Sequence, residues 1–330
     1  MNFEQLFLSF QEMPVAVVGD VMLDTYWWGK TDRISPEAPV PVVAFEKKEY
    51  RIGGAGNVAL NLVALGSAVS MHTVGGDDDD GRLLCTMMEE KGIDTAGVMP
   101  NIARITTNKI RIMSRSQQMM RLDKEMSTDI NTDLEEHFVQ QTITCWEKLK
   151  PRIVIFEDYN KGVLTTRVIA DLIAWCKAQN VLTAVDPKRR NFFAYRKVDI
   201  FKPNLKEARE ALNLVELEPG LNGMQQVHRQ LLHQLGHRIS LVTLSEHGAF
   251  YQVGEDAAIL PAHVRNIADV SGAGDTVIAV ASLVYASTRN ARLMAEIANI
   301  AGGLVCEEVG TAAIDANKLL AECQALLGGG

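Results

Sequence analysis

Four short apolar runs set the rhythm of the chain: Val15-Ala16-Val17-Val18-Gly19, Ile153-Val154-Ile155-Phe156, Leu182-Thr183-Ala184-Val185 and Ile239-Ser240-Leu241-Val242-Thr243. Short runs of this kind, apolar and β-branched on both faces, read as strands covered on both sides, the habit of parallel sheets. Helical periodicity fills the intervals at 132–149, 165–179 and 223–236. Strand and helix in alternation predict an α/β fold of three α/β/α layers around a mostly parallel central sheet. Three of the runs end at or beside a carboxylate, at Asp20, Glu157-Asp158 and Asp186. Ligands of such sheets bind outside the carboxyl ends of the strands, where these carboxylates fall.

Two segments break the rhythm. Residues 31–52 carry Pro36, Pro39 and Pro41 and then Val42-Val43-Ala44-Phe45; residues 105–123 alternate from Ile105 to Ile112 and continue to Met119-Met120-Arg121-Leu122. They predict a small β lid outside the main sheet, drawn from about 31–50 and 105–123. No composition shift marks a linker, so one domain over 1–330 is expected.

Composition narrows the classes. Of 330 residues 47% are hydrophobic and 22% charged, ordinary for a globular chain large enough to bury its own core. The net charge of −8 argues against a nucleic-acid or anionic-membrane binder, though a local basic site for a small phosphate remains compatible with it. Five scattered cysteines without a C-x-x-C pair, a start lacking a basic and apolar leader, and no apolar stretch of membrane-spanning length point to the cytoplasm.

Two glycine-rich segments carry the candidate chemistry. Gly53-Gly54-Ala55-Gly56-Asn57-Val58-Ala59 contains a G-x-G-x-x-A string. The residues before it, Glu46 to Arg51, are too polar for the central strand of a dinucleotide fold. Small residues here let a polyol approach the backbone, and Asn57 offers both donor and acceptor. A plain glycine turn ahead of a helix over 55–66 is the alternative. The second segment, Asp269-Val270-Ser271-Gly272-Ala273-Gly274-Asp275-Thr276, runs into an apolar helix. The N–H groups of Gly272, Ala273 and Gly274 would face an anion at the helix start, beside Asp275 as an ionised base. A simple capping aspartate is the competing reading. No Gly-Lys-Ser/Thr follows, so this is not a Walker loop.

Together the two segments resemble the two signatures of the ribokinase-like (PfkB) carbohydrate kinases, over roughly residues 14–312. Gly19-Asp20-Val21-Met22-Leu23-Asp24, Arg33 to Pro41, Asp158-Tyr159-Asn160-Lys161-Gly162 and Asp186-Pro187-Lys188 resemble, more narrowly, the D-glycero-β-D-manno-heptose 7-phosphate kinases of lipopolysaccharide core synthesis. The resemblance implies a ribokinase-like fold and transfer of a phosphoryl group from ATP to the anomeric C1 hydroxyl. The chain shows no H-x-G-H motif, so the nucleotidyltransferase domain fused to many such kinases is not expected.

By the same resemblance Asp275 is the base, and the backbone of Gly272, Ala273 and Gly274 holds the phosphoryl group. Asp20, Asp24, Gly53, Gly54, Asn57 and Asn160 bind the sugar, with Lys161, Lys188 and Arg189 as candidates for its phosphate and the lid residues Arg104, Lys109, Arg111 and Arg121 unranked. Asn204, Leu205, Lys206 and Glu207 match an N-x-x-E element that organises ATP and, through water, Mg²⁺; Asn204 would equally cap a helix over 205–212. Thr243, Ser245, Gly248 and Asn299 complete the ATP site, with Ser245 standing where the family has glycine. The cofactors implied are ATP and Mg²⁺, with a monovalent cation allowed; the partner implied is a second copy, through exposed lid strands. Rivals are a kinase for ribose, fructose 6-phosphate or a nucleoside, and a sugar-phosphate-binding regulator without turnover.

Overall fold

The computed structural model describes residues 2–115, 117–214, 217, 219–263 and 265–328. In chain order its strands are β1 (Pro14–Gly19), β2 (Val21–Ile34), β3 (Pro41–Gly54), β4 (Ala68–Gly76), β5 (Asp94–Asn101), β6 (Asn108–Ser114), β7 (Gln117–Lys124), β8 (Ile153–Glu157), β9 (Leu182–Asp186), β10 (Ile200–Phe201), β11 (Ile239–Thr243), β12 (Ala249–Val253) and β13 (Asp256–Leu260). The four apolar runs are β1, β8, β9 and β11. They lie inside a nine-stranded sheet of order β13-β12-β11-β10-β9-β8-β1-β4-β5. All its pairings are parallel except β11–β12 and β12–β13.

Successive side chains of a strand point to opposite faces, and here both faces are dry. Ile153, Ile155 and Ala184 pack with Ala55, Val58, Leu62, Ile278 and Ala298 on one side; Val154, Phe156 and Val185 pack with Phe138, Trp146, Leu172 and Leu231 on the other. The helix Ala273–Thr288 is buried from Asp275 to Ala286. Its Val277 fits because a Cβ on Gly302 of the neighbouring helix Ala291–Val305 would stand 2.7 Å from the valine Cγ2. The predicted helix over 132–149 is Thr132–Leu149, and that over 205–212 is Leu205–Leu212. Among the described residues no helix is long and apolar enough to cross a membrane.

The chain leaves β1 for β4 and β5 on one side and returns at β8 on the other. The carboxyl ends of β1 and β8 therefore flank the point where strand order reverses, the place an open α/β sheet offers a crevice. Asp20, Glu157 and Asp158 stand there.

The lid is a separate four-stranded sheet of order β3-β2-β6-β7. It begins at Val21, not near 31 as expected: β2 leaves β1 after a single residue, and its alternation of Asp24, Tyr26 and Trp28 with Thr25 and Trp27 continues the apolar run without a break. The Pro36–Pro39 stretch is only the turn of a long hairpin with β3. Register sorts the lid's faces. Asp24 and Tyr26 pair with Lys109 and Arg111 on the inner, polar face; Thr25 and Trp27 pair with Ile110 and Ile112, which pair in turn with Leu122 and Met120 of β7. Trp27, Met120, Leu122 and Phe45 are exposed.

Candidate active site

The first turn of helix Ala273–Thr288 brings Asp275 beneath the carboxyl ends of β8 and β9. Gly272, the residue before the helix, has φ +82°, a left-handed conformation natural to glycine, and a Cβ there would meet Asn57 Nδ2 at 2.8 Å. That clearance lets Asn57 donate from Nδ2 to Asp275 Oδ2 at 2.7 Å. Tyr159 donates its hydroxyl to Asp275 Oδ1 at 2.8 Å. Burial, aided by the Asp186 carboxylate, outweighs the two donors and Lys202 and leaves the Asp275 carboxyl raised to about 6. A base so poised is ionised at neutral pH yet basic enough to take a proton. Of the three amides expected to face an anion, that of Ala273 donates to the Val270 carbonyl at 3.3 Å. The Thr276 N–H bonds back to the Gly272 carbonyl at 3.0 Å, which leaves the N–H groups of Gly274 and Asp275 as the open donors of the first turn.

Behind Asp275 lies a charged floor. Glu157, Asp186 and Asp275, all buried, bring carboxylate oxygens within 4.8 Å of one another. Glu157 and Asp186 are register partners on β8 and β9 and so point to the same face. Lys202 Nζ stands 2.7 Å from Asp186 Oδ2, and Lys188 Nζ spans Asp186 Oδ1 at 3.4 Å and Glu207 Oε1 at 2.8 Å. Burial works to raise the Asp186 pKa, but the two ammonium groups outweigh it and hold the carboxyl below its ordinary value. Among the described residues Glu157 has no such cation in contact and neither of its oxygens has a hydrogen-bond partner; burial and the neighbouring carboxylates raise it well above the usual range. Lys188, a sequence candidate for the sugar's phosphate, is thus engaged by the carboxylates of Asp186 and Glu207.

The sugar end departs from expectation at Asp20. Its carboxylate is only 2% exposed and is already used: Oδ2 accepts from the N–H of Tyr159 at 2.9 Å and of Lys161 at 3.0 Å, and Oδ1 from that of Val163 at 3.2 Å. It folds the loop after β8 and does not grip hydroxyls. Asp158, in the same loop, accepts from the Asn160 N–H and the Tyr195 hydroxyl, each at 2.7 Å. Burial and Asp20 raise it to about 7. Asn160 has φ +55° and a buried, unpartnered Oδ1; Lys161 pairs with Glu125 at 2.6 Å. Asp24 is paired with Arg111, and a Cβ on Gly53 would stand 2.4 Å from Asp24 Oδ2, so that glycine makes room for the carboxylate. Gly54, with φ +59°, turns β3 into helix Ala55–Ala64, which carries Asn57. Lys109 makes no salt bridge among the described residues; its ammonium lies 5.5 Å from the Tyr159 ring centroid, and burial lowers its pKa, with the Asp24 carboxylate opposing and the positive charges of Lys161, Arg111 and Arg121 adding to the effect.

On the other side of Gly274 opens a cleft of about 1200 Å³. Of the residues the resemblance assigns to ATP, Asn204, Leu205, Lys206, Thr243, Ser245, Gly248 and Asn299 line it, and Glu207 stands outside the lining. Arg189, a sequence candidate for the sugar's phosphate, is exposed and lines this cleft too. Asn204 and Glu207 form a complete capping box on helix Leu205–Leu212, so the capping role is real, and Glu207 keeps its second oxygen for Lys188. Ser245 has φ +56°, the conformation that favours the glycine it replaces. Asn299 donates to the Pro261 carbonyl at 2.9 Å and ties down the cleft wall.

Four residues of this centre were not among the sequence candidates: Tyr159, Glu157, Asp186 and Lys202. Tyr159 lies inside a quoted motif, and Glu157 and Asp186 end apolar strands, which is the signal that marks them. Lys202 follows β10, two residues long and too short to read from periodicity.

Residues 14–318 match the pfkB family carbohydrate kinases. The bifunctional protein HldE of Geobacter sulfurreducens is 36% identical over 320 residues, 97% of this chain and 64% of that protein. The HldE proteins of Campylobacter curvus and Desulfatibacillum aliphaticivorans are 38% and 39% identical, over 92% and 96% of this chain and 63% and 64% of their own lengths. The chain thus spans just under two-thirds of these relatives. Among solved structures, phosphofructokinase-2 from Escherichia coli in complex with potassium superposes with a TM-score of 0.77 at 16% identity, covering 94% of this chain and 99% of its own. Arabidopsis thaliana ribokinase with ribose and ATP gives 0.71 at 17% identity with the same coverage. These two likenesses speak for a ribokinase-like fold. With the family match over nearly its whole length and a buried aspartate at the head of the second signature helix, the chain belongs to the pfkB family of carbohydrate kinases.

Proposed function

We propose that the protein transfers the γ-phosphoryl group of ATP to the C1 hydroxyl of D-glycero-β-D-manno-heptose 7-phosphate, giving the 1,7-bisphosphate used in lipopolysaccharide core synthesis. The observation that carries the reading is Asp275, a buried carboxylate held between Asn57 and Tyr159 at the start of a helix. It lies between a cationic lid face and the 1200 Å³ cleft. The heptose motifs and the identity to HldE proteins support the substrate. So does Lys109, half-buried on the inner lid face, influenced by Asp24 but in no salt bridge among the described residues, which suits an anion on the sugar.

Asp275 takes the hydroxyl proton while the oxygen attacks phosphorus in line and the ADP oxygen leaves. Helix N–H groups and Lys188 face the charge on the transferring group. The oxygen-rich floor fits Mg²⁺: Asp186 and Glu207 would hold it directly or through water, and the orphaned Glu157 carboxyl behind them adds a further hard donor. When bound, Mg²⁺ supplies neutralisation of the phosphate charge. Lid closure would exclude water from the site. The exposed apolar outer face of the lid favours a homodimer, and the chain's chemistry suits the cytoplasm, where ATP is found.

The test is ADP release with heptose 7-phosphate, ribose, fructose 6-phosphate and a nucleoside as acceptors. A kcat/KM at least about a hundredfold higher for the heptose phosphate is expected; preference for ribose would overturn the substrate.

A further inference from the structure

We infer that Tyr159 is a further residue of the reaction, a displaceable cap whose hydroxyl occupies the base until a sugar hydroxyl replaces it. The inference rests on the kinase reading of the same cleft.

Both oxygens of Asp275 are engaged by internal donors, Oδ2 by Asn57 and Oδ1 by Tyr159. An acceptor hydroxyl must come within about 2.6–3.2 Å of one of these oxygens to pass on its proton. The two donors differ in freedom. Asn57 is fully buried in a helix, its carbonyl accepts from Asn61 at 2.8 Å, and Gly272 closes over its amide. Tyr159 belongs to neither hydrophobic core and is partly exposed. Its ring lies between two ammonium groups, Lys109 at 5.5 Å and Lys188 at 5.4 Å from the centroid.

The loop backbone around Tyr159 does not share this freedom. Asp20 pins its N–H and those of Lys161 and Val163, and a Cβ on Gly162 would stand 2.0 Å from the Thr128 carbonyl oxygen. Freeing the base therefore requires only side-chain rotation, which leaves Lys109 and Lys188 to close on the arriving phosphates. Without sugar the cap keeps water from using Asp275, and ATP is spared.

A cap that the sugar must displace weakens sugar binding by the free energy of the capping bond. Calorimetric titration of heptose 7-phosphate, without nucleotide, into wild type and Tyr159→Phe reads this directly. Tyr159→Phe keeps the ring between the lysines and is expected to tighten binding by about tenfold. It is also expected to raise sugar-independent ATP hydrolysis severalfold. Unchanged or weaker binding, or unchanged hydrolysis, overturns the cap. Should the variant melt early, the wild-type sequence carries the test with 3-fluorotyrosine at 159: its ¹⁹F resonance must shift on saturation with the sugar phosphate, and a static resonance sinks the proposal. If wild type neither binds nor phosphorylates the heptose phosphate, the substrate reading fails instead. The hydrolysis arm needs ATP alone and still decides the cap.

Discussion

Asn57 and Asp275, 218 positions apart in sequence, meet through a 2.7 Å hydrogen bond that joins the heads of two buried helices. The amide orients the carboxylate and favours its ionised form. Asn57→Ala removes both effects. We expect kcat/KM to fall about ten- to a hundredfold, the size of a hydrogen bond to a charged group, with the acid limb of the pH profile moving upward. Steady-state kinetics across pH 5–9 check it; a lower rate with an unmoved limb would leave Asn57 a packing residue.

Asp275→Asn keeps the shape and removes the base. Turnover should drop by about 10²–10⁴-fold, while calorimetry still detects sugar-phosphate binding. Wild-type turnover in this variant would take the base role away from Asp275.

The pH dependence follows from burial. Asp275 is raised to about 6, so it is protonated and inactive below that value and ionised above it. Log kcat/KM should rise with unit slope on the acid side and level off above an apparent pKa near about 6. An acid limb near the ordinary aspartate value would show a base exposed to solvent.

Asp20 accepts three backbone N–H bonds with its two oxygens. Asn at this position offers one acceptor oxygen and turns an NH₂ toward backbone donors. Asp20→Asn should therefore destabilise the fold by roughly 2–4 kcal/mol, seen in urea unfolding. A stable variant with only a raised KM for sugar would restore the hydroxyl-gripping role that the sequence suggested.

The outer lid face makes a separate prediction. Met120→Glu with Leu122→Glu, both exposed, should leave the melting temperature of the main domain nearly unchanged while shifting sedimentation from dimer to monomer. Monomeric wild type at micromolar concentration would refute the assembly itself.

The main sheet was legible because buried parallel strands advertise themselves. β1, β8, β9 and β11 are apolar on both faces, and the helices between them keep a clear 3.6-residue period. The lid's true start at Val21 was not, because an apolar run that passes from one sheet into another leaves no polar gap. β5 and β13 carry polar or small residues, as strands near an edge can, and in β12 Gln252 interrupts Ala249-Phe250-Tyr251, so none gave a comparable run. Glycine segments marked the site for a local reason: the turn at Gly272 and the entry at Gly54 require φ values that few other residues accept.

What the amino-acid order determined by itself was the layered α/β class, the two glycine turns and a carboxylate at or beside three of the four strand ends, since these depend on neighbours a few residues away. Which carboxylate does what was decided only by tertiary packing. Asp20 and Asp275 look alike as strand-end or helix-start acids. Yet one is consumed by backbone amides and the other is bonded by the side chains of Asn57 and Tyr159, partners more than a hundred positions distant. A carboxylate's role is set by which donors surround it and how much water is excluded, and both are properties of the folded chain.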